Sequence, residues 1–467
     1  MSLRGTILQP WNWYSPKVDS ENKNLYQRLE RDASKIKKDR FTAVWLPPGG
    51  GCANYDDVGY GIRDWYNLDD TKYGNKEQLK KACTALNNLG IQVYHDQVYN
   101  HLMGGNKEED VWCLHVKVSN KNEPLDSTKV WFQADIPTAF SWLGLSWVHF
   151  DTYHPNGSDC WILRGKKFDC EAKLDPLMGC DLDYDNIDLV KKLENFGFWF
   201  KWEIPVDGYR FDAVKHIRPK GILNFLHSMK CSAAKNLFAV GEYLDTNLKD
   251  LHSYISSTWG QISLFDFPLQ RKLVNASRSG NSHDMGSLVS GTLTNEQPVL
   301  SVPFVCSHDD MAPIDGNDKR GEYVGDWFIS QAYAMILLRD EGYPMVGDVD
   351  MLRHGDMIRR YMAVRTDCTY GERCDRFDHS NTVGWSFSGG FGFDNSMAVV
   401  ITNGDYGKKW LPTYRPNTQY KDFTDALQHS IWTNNDGWAE FECPSRNTSV
   451  WVESTKYNQL KWELYSQ

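Results

Sequence analysis

The sequence predicts an α/β protein: a (β/α)8 TIM barrel with an irregular domain inserted after its third strand and a C-terminal antiparallel β-sandwich. Three observations carry that expectation. Eight short apolar runs recur before residue 350, with helical patterns between many of them. Such alternation indicates a parallel sheet, and eight units indicate a closed barrel. Residues 102–186 show no regular period and are rich in Asp, Trp and Gly, too long a stretch for a loop. Beyond about residue 372 the pattern changes to alternation around Gly, Asn and Pro.

The expected barrel strands fall in residues 5–9, 41–46, 91–98, 208–214, 237–243, 262–267, 299–306 and 343–349. Leu79, Ala82, Cys83, Leu86 and Leu89 form one helical apolar face that Gly90 ends. Ile187, Val190, Leu193 and Trp202 mark another. The barrel is thus expected over 1–101 and 187–371, the insertion over 102–186 and the all-β domain over 372–467. Segments 381–387, 397–402 and 449–453 are its clearest strands.

A chain of 467 residues exceeds one compact core. Its 41% hydrophobic and 24% charged content is that of a soluble protein, and no run of eighteen apolar residues predicts a membrane span. A net charge of -10 repels phosphate backbones, so nucleic acid is an unsuitable partner. Nineteen tryptophans and 23 tyrosines suit either a large aromatic core or flat ligand faces such as sugar rings. The 11 cysteines lack zinc-finger spacing, Cys160, Cys170 and Cys180 lying ten apart. Met1-Ser2-Leu3-Arg4 does not open a secretory signal, which predicts a cytoplasmic protein with reduced thiols if Met1 is the native start. The alternative is an extracellular protein whose signal peptide has been removed, in which case the sequons at Asn156, Asn275 and Asn447 would matter.

In such a barrel, chemistry sits at the C-terminal ends of the strands. Four ends here are polar. His95-Asp96-Gln97-Val98-Tyr99-Asn100-His101 closes the third, Asp207 to His216 spans the fourth, Gly241-Glu242-Tyr243 ends the fifth, and Ser307-His308-Asp309-Asp310 ends the seventh. A single carboxylate in such a place is often only a helix cap. Three of them at the ends of strands four, five and seven would converge on one mouth.

Together these stretches resemble the conserved regions of the α-amylase family, glycoside hydrolase family 13. Gly5-Thr6-Ile7-Leu8-Gln9-Pro10-Trp11-Asn12-Trp13-Tyr14 is similar to the first strand of its liquefying-type members, which include bacterial and fungal intracellular amylases. Asp57-Val58-Gly59-Tyr60-Gly61 and Thr71-Lys72-Tyr73-Gly74 resemble their second-strand loop, and Asn434-Asn435-Asp436-Gly437-Trp438 their C-terminal domain. The resemblance implies endo-hydrolysis of α-1,4-glucosidic bonds in starch- or glycogen-type α-glucans, with retention, by a monomer. It implies Asp212 as nucleophile, Glu242 as general acid/base and Asp309 as the carboxylate that stabilises the transition state. Arg210, two residues before Asp212 and on the same strand face, would hold the nucleophile ionised. His101, His216 and His308 match donors to the reacting sugar, Tyr60 the aromatic beneath it, and Lys215 a leaving-side contact. Retention requires the two carboxyl groups at about 5–5.5 Å. Where the family usually has Asn before the His-Asp pair this chain has Ser307, so no chloride is expected.

The insertion carries Asp151, Asp169, Asp175, Asp181, Asp183 and Asp185, which by themselves fit a solvated acidic loop. Asp181-Leu182-Asp183-Tyr184-Asp185 begins like an EF-hand, but Asn186 and Lys192 replace the required Gly and Glu. The resemblance instead implies a calcium ion on Asn100, Asp175, Asp181 and the His216 carbonyl. It matches Asp151, Asp169, Asp183 and Asp185 to a neighbouring metal cluster. A transglycosylase or other α-glucoside hydrolase, and a non-catalytic glycan-binding barrel, remain as alternatives. All three carboxylates are present, which disfavours the last.

Overall fold

The structure, a computed structural model, describes residues 4–54, 56–69, 71–103, 113–117, 147–152, 159–163, 177–230, 237–314 and 320–465. Eight strands form one parallel sheet: β1 (Ile7–Gln9), β2 (Ala43–Leu46), β3 (Gln92–Gln97), β4 (Gly208–Phe211), β5 (Phe238–Gly241), β6 (Ser263–Phe265), β7 (Ser301–Val302) and β8 (Met345–Gly347). Around the sheet each neighbours the next in sequence, and β8 pairs with β1 through Ile7↔Met345. A parallel bridge between Phe304, just past β7, and Met345 closes the ring.

Every strand falls inside its expected run and is shorter than that run. β4 ends at Phe211 because Ala213 takes a left-handed backbone (φ 49°) and Val214–His216 coils into a 3-10 turn. β7 is clipped by Pro298 and Pro303, which have no N–H to give a ladder.

The first two helices, Leu25–Lys38 and Lys76–Asn88, each start on a reciprocal cap, Asn24 with Gln27 and Asn75 with Gln78. Helix Ile187–Glu203 buries Leu189, Leu193, Phe196 and Phe200. This corrects the expected face: Ile187 is 68% and Trp202 85% exposed. Both lie off the 4-3-4 stripe that meets the barrel.

The chain leaves β3 into His101–Leu102, the edge of a five-stranded antiparallel sheet. Gly179–Leu182, Trp147–Thr152, Asp159–Leu163 and Cys113–Lys117 follow in that order across it. The register sets Asp181 opposite His101, so the insertion returns beside the end of β3.

At the C-terminal end, six antiparallel strands run in the order Arg373–Arg376, Thr382–Phe387, Met397–Thr402, Thr448–Glu453, Gln419–Asp422 and Ser430–Trp432. The pair Gly407–Pro412 and Trp438–Cys443 covers one face of that sheet. Alternation sorts the middle strand: Met397, Val399 and Ile401 join the barrel's core, while Ala398 and Val400 join a second core with Leu411, Phe441 and Trp451. Trp385 Nε1 donates to the Leu338 carbonyl at 2.7 Å, tying this sheet to a barrel helix.

Candidate active site

The register of β3, β4 and β5 builds the centre of the mouth. Arg210 lies between Asp96 on β3 and Val240 on β5. Where β4 ends, the Asp212 amide donates to Gln97 O and the Glu242 amide to Phe211 O, each at 2.9 Å. These backbone bonds set Asp212 and Glu242 on either side of one guanidinium. Arg210 Nη1 donates to Asp212 Oδ1 at 2.8 Å, and Nη2 lies 2.8 Å from Glu242 Oε2. Nη1 also reaches both oxygens of Asp96, at 2.8 and 2.9 Å. The left-handed turn at Ala213 aims its N–H at Glu242 Oε2, 3.0 Å away. Two donors thus fall on Glu242 Oε2.

Arg210 is 1% exposed, so it meets its acids with little solvent between them. Burial pushes the Asp212 carboxyl well above the usual carboxylate range; Arg210 opposes this, while Glu242 and Asp96 add to it. Burial likewise raises Asp96 against the pull of Arg210. Arg210 acts in the expected sense, favouring ionised Asp212, against burial and two neighbouring acids. One positive charge is divided among three carboxylates, Asp96, Asp212 and Glu242.

A second set of bonds leads to Asp309. Tyr60 is buried with its hydroxyl donating to Asp96 Oδ2 at 2.9 Å and lying 2.8 Å from His308 Nε2. The Tyr60 and His308 rings stack at 13°. Gln9 Nε2, on β1, lies 2.9 Å from His308 Nδ1. Asp309 receives Trp13 Nε1 at 2.7 Å, with His308 Nε2 at 3.1 Å and Arg320 at 3.6 Å. Although burial works in the opposite direction, His308 and the Trp13 donor hold the Asp309 carboxyl well below the usual range. Ser307 Oγ accepts the amides of Asp309 and Asp310 at 3.2 and 3.1 Å, so Ser307 caps the turn that presents Asp309.

His101 is fully buried, its Nε2 3.0 Å from Tyr60 O and its Nδ1 3.3 Å from Asn100 Nδ2. Lys215 Nζ donates to Asp245 Oδ2 and Leu244 O, and half-buried His216 closes the 3-10 turn after Asp212. Among the expected metal ligands, Asn100 Oδ1 is buried without a hydrogen-bond donor among the described residues. Asp181 and Asp183 are buried, and Asp183 caps the Asp185 amide. Asp185 is drawn to Arg218 at 2.6 Å. Asp169 and Asp175 lie outside the described residues, as does the side chain of Asp151. Among the described residues no three His, Cys, Asp or Glu side chains gather as a metal cage.

Sequence reasoning gave no role to Asp96, Gln9, Trp13 or Trp45. Asp96 stood within the quoted third stretch, and its place opposite Arg210 follows only from strand register. Trp45 offers its indole to Asp96 Oδ2 at 3.2 Å.

The family model for the α-amylase catalytic domain matches residues 34–311. A glucan 1,4-α-maltohexaosidase of Bacillus sp. (strain 707) is 33% identical, the alignment covering 96% of this chain and 92% of that one. An α-amylase of Geobacillus stearothermophilus is also 33% identical, over 99% and 89% of the two chains. The crystal structure of an Anoxybacillus α-amylase superposes with a TM-score of 0.68 at 15% identity, covering 97% of this chain and 98% of the other, a likeness of fold.

Proposed function

The chain belongs to the α-amylase family of glycoside hydrolases, and from that premise we propose that it is an endo-acting α-amylase cleaving internal α-1,4 bonds of starch- or glycogen-type glucans with retention. The observation that carries this reading is the pair Asp212 and Glu242 gripped by one Arg210 guanidinium. Sharing a guanidinium keeps the two carboxyl groups close, as a double-displacement site needs.

In this reading Glu242 donates its proton to the glycosidic oxygen as that bond breaks, and Asp212 bonds to the anomeric carbon. Glu242 then takes a proton from water, whose oxygen displaces Asp212 and restores the α configuration. Asp309 stabilises the positive charge that develops on the sugar. His101, His216 and His308 are assigned to its hydroxyls, Tyr60 to its face and Lys215 to the leaving side. The barrel is taken as 1–101 with 187–371, the insertion as 102–186 and the all-β domain as 372–467.

Calcium is proposed on Asn100, Asp175, Asp181 and the His216 carbonyl, and hard oxygen donors suit it. The support is the buried Asn100 Oδ1, which has no donor among the described residues. The ion would tie the insertion to the barrel and lend charge compensation there. Monomeric, cytoplasmic residence is proposed as well. The buried thiols Cys83, Cys306, Cys368 and Cys443 form no disulfides, as suits a reducing compartment.

Digestion of soluble starch tests the reading. Short α-anomeric maltooligosaccharides formed by internal cleavage support it. New linkages would make the enzyme a transferase, β-anomeric products would exclude retention, and no products would leave a binding protein.

A further inference from the structure

The chain just past Asp309 turns back on the loop that presents it. Met311 and Arg320 form an antiparallel bridge, Met311 N donating to Arg320 O at 3.1 Å and Arg320 N to Met311 O at 3.2 Å. Gly321, in the left-handed region at φ 53°, permits the close return, since a Cβ there would overlap Asp309 O and Asp310 Oδ1. Asp310 Oδ1 accepts the Glu322 amide at 2.9 Å and fastens the returning chain.

That return sets Arg320 over Trp13. Its Cζ lies 3.9 Å from the centre of the Trp13 ring, well within the reach of a guanidinium on an indole face. Nη2 lies 3.6 Å from Asp309 Oδ1, the same oxygen that accepts Trp13 Nε1 at 2.7 Å. The other oxygen, Oδ2, faces His308 Nε2 at 3.1 Å. Arg320 Nε is buried and meets no acceptor among the described residues. Glu322, two residues on, is held by Arg271 and Arg278. The guanidinium is therefore placed by the indole face and the Asp309 carboxylate.

The two contacts differ in weight. At 3.6 Å, with both side chains partly exposed, the ion pair to Asp309 contributes little by itself. The stack on Trp13 is the closer contact, and it needs a flat cation, which lysine does not supply. Trp13 in turn gives Asp309 its shortest hydrogen bond.

We propose that Arg320 is a positioning residue for Asp309, whose guanidinium covers Trp13 and keeps the indole N–H on the carboxylate through the reaction. The effect on turnover rests on the amylase reading. The effect on Trp13 does not, because it is measured without substrate.

The Trp13 indole N–H resonance, identified by its loss in Trp13→Phe, reports the bond to Asp309. In Arg320→Met this proton is expected to exchange with water about fivefold faster, the scale of one lost exposed cation–π contact. On soluble starch kcat should fall about fivefold while KM stays within about twofold. Arg320→Lys keeps the charge without the flat face and should behave like Arg320→Met, for which it also stands in if that variant does not fold. In a Trp13→Phe background Arg320→Met should cost less than about twofold, because the bond it serves is already gone. An unmoved exchange rate, a raised KM with normal kcat, full activity in Arg320→Lys, or the whole fivefold loss without Trp13 would each overturn the proposal. An enzyme inactive on starch would instead fail the amylase reading, and the indole resonance would still decide the role of Arg320.

Discussion

Trp13 Nε1 donates to Asp309 Oδ1 at 2.7 Å across 296 residues of chain, joining the loop after β1 to the loop after β7. Burial opposes ionisation, but His308 above all, with the Trp13 bond adding to it, favours the ionised carboxylate, so Asp309 lies well below the usual range. Trp13→Phe keeps a ring and removes the donor. Turnover is expected to fall about tenfold or more. Because Asp309 would then protonate at higher pH, the acid limb of the kcat/KM profile should move upward. An acid limb that stays in place would show that Trp13 only fills space.

The three acids around Arg210 bear on stability as well as rate. Asp212→Asn and Glu242→Gln are each expected to lower turnover by about a thousandfold or more. Burial raises the Asp212 carboxyl, so its ionised form opposes folding at neutral pH and above. Asp212→Asn should therefore melt at a temperature equal to or above wild type at pH 7. A clear loss of melting temperature together with near-normal turnover would remove Asp212 from the centre of the site.

These relationships differ in how far the sequence discloses them. The eight strands were legible because each is a short apolar run with helical pattern beside it, and the carboxylates because they follow those runs. Asp96 beside Arg210 is a fact of register between β3 and β4, and local pattern carries no register. Gln9 beside His308 needs the closed ring, since β1 and the end of β7 meet only when β8 seals it. Trp202 was misplaced because large apolar residues were counted without following the stripe that Leu189, Leu193, Phe196 and Phe200 define. Ser307 gave no positive signal at all. Its capping bonds to Asp309 and Asp310 appear only once the turn is formed.

Asp348 and Asp350 head the last barrel helix with carboxyls that burial pushes up to about 7 and about 6. Each binds its proton more tightly folded than unfolded. Folding therefore gains from them below the ordinary carboxylate range, near pH 4, and loses that gain as pH rises through about 6 to 7. Asp348→Asn keeps an acceptor for Asn12 and cannot ionise. Its stability relative to wild type is expected to improve by about 2 kcal/mol between pH 5 and pH 8, as read by denaturant unfolding at both. A difference that does not vary with pH would mean Asp348 titrates normally.

Calcium should act on the joint between insertion and barrel rather than on substrate. Asn100 places its amide nitrogen 3.3 Å from His101 Nδ1, while its Oδ1 is buried with no donor among the described residues. Asp181 comes from the strand paired opposite His101, and Leu182 N donates to Asn100 O at 3.0 Å, so backbone bonds already bring the two proposed ligands together. The Asn100 oxygen and the Asp181 carboxylate are both buried, and a cation there would compensate the desolvation of each. Chelation is therefore expected to lower the melting temperature, and free calcium to raise it by linkage, about 2.7 kcal/mol at a hundredfold excess over Kd. Asn100→Ala and Asp181→Asn should each melt like the chelated wild type and lose most of the response to calcium. Asp212, Glu242 and Asp309 are not among the proposed ligands. The fraction of chelated enzyme that stays folded should thus keep its KM while losing kcat as the wall beside Asp212 loosens. A melting curve indifferent to both chelator and calcium would leave Asn100 as a buried amide and remove the metal from the fold.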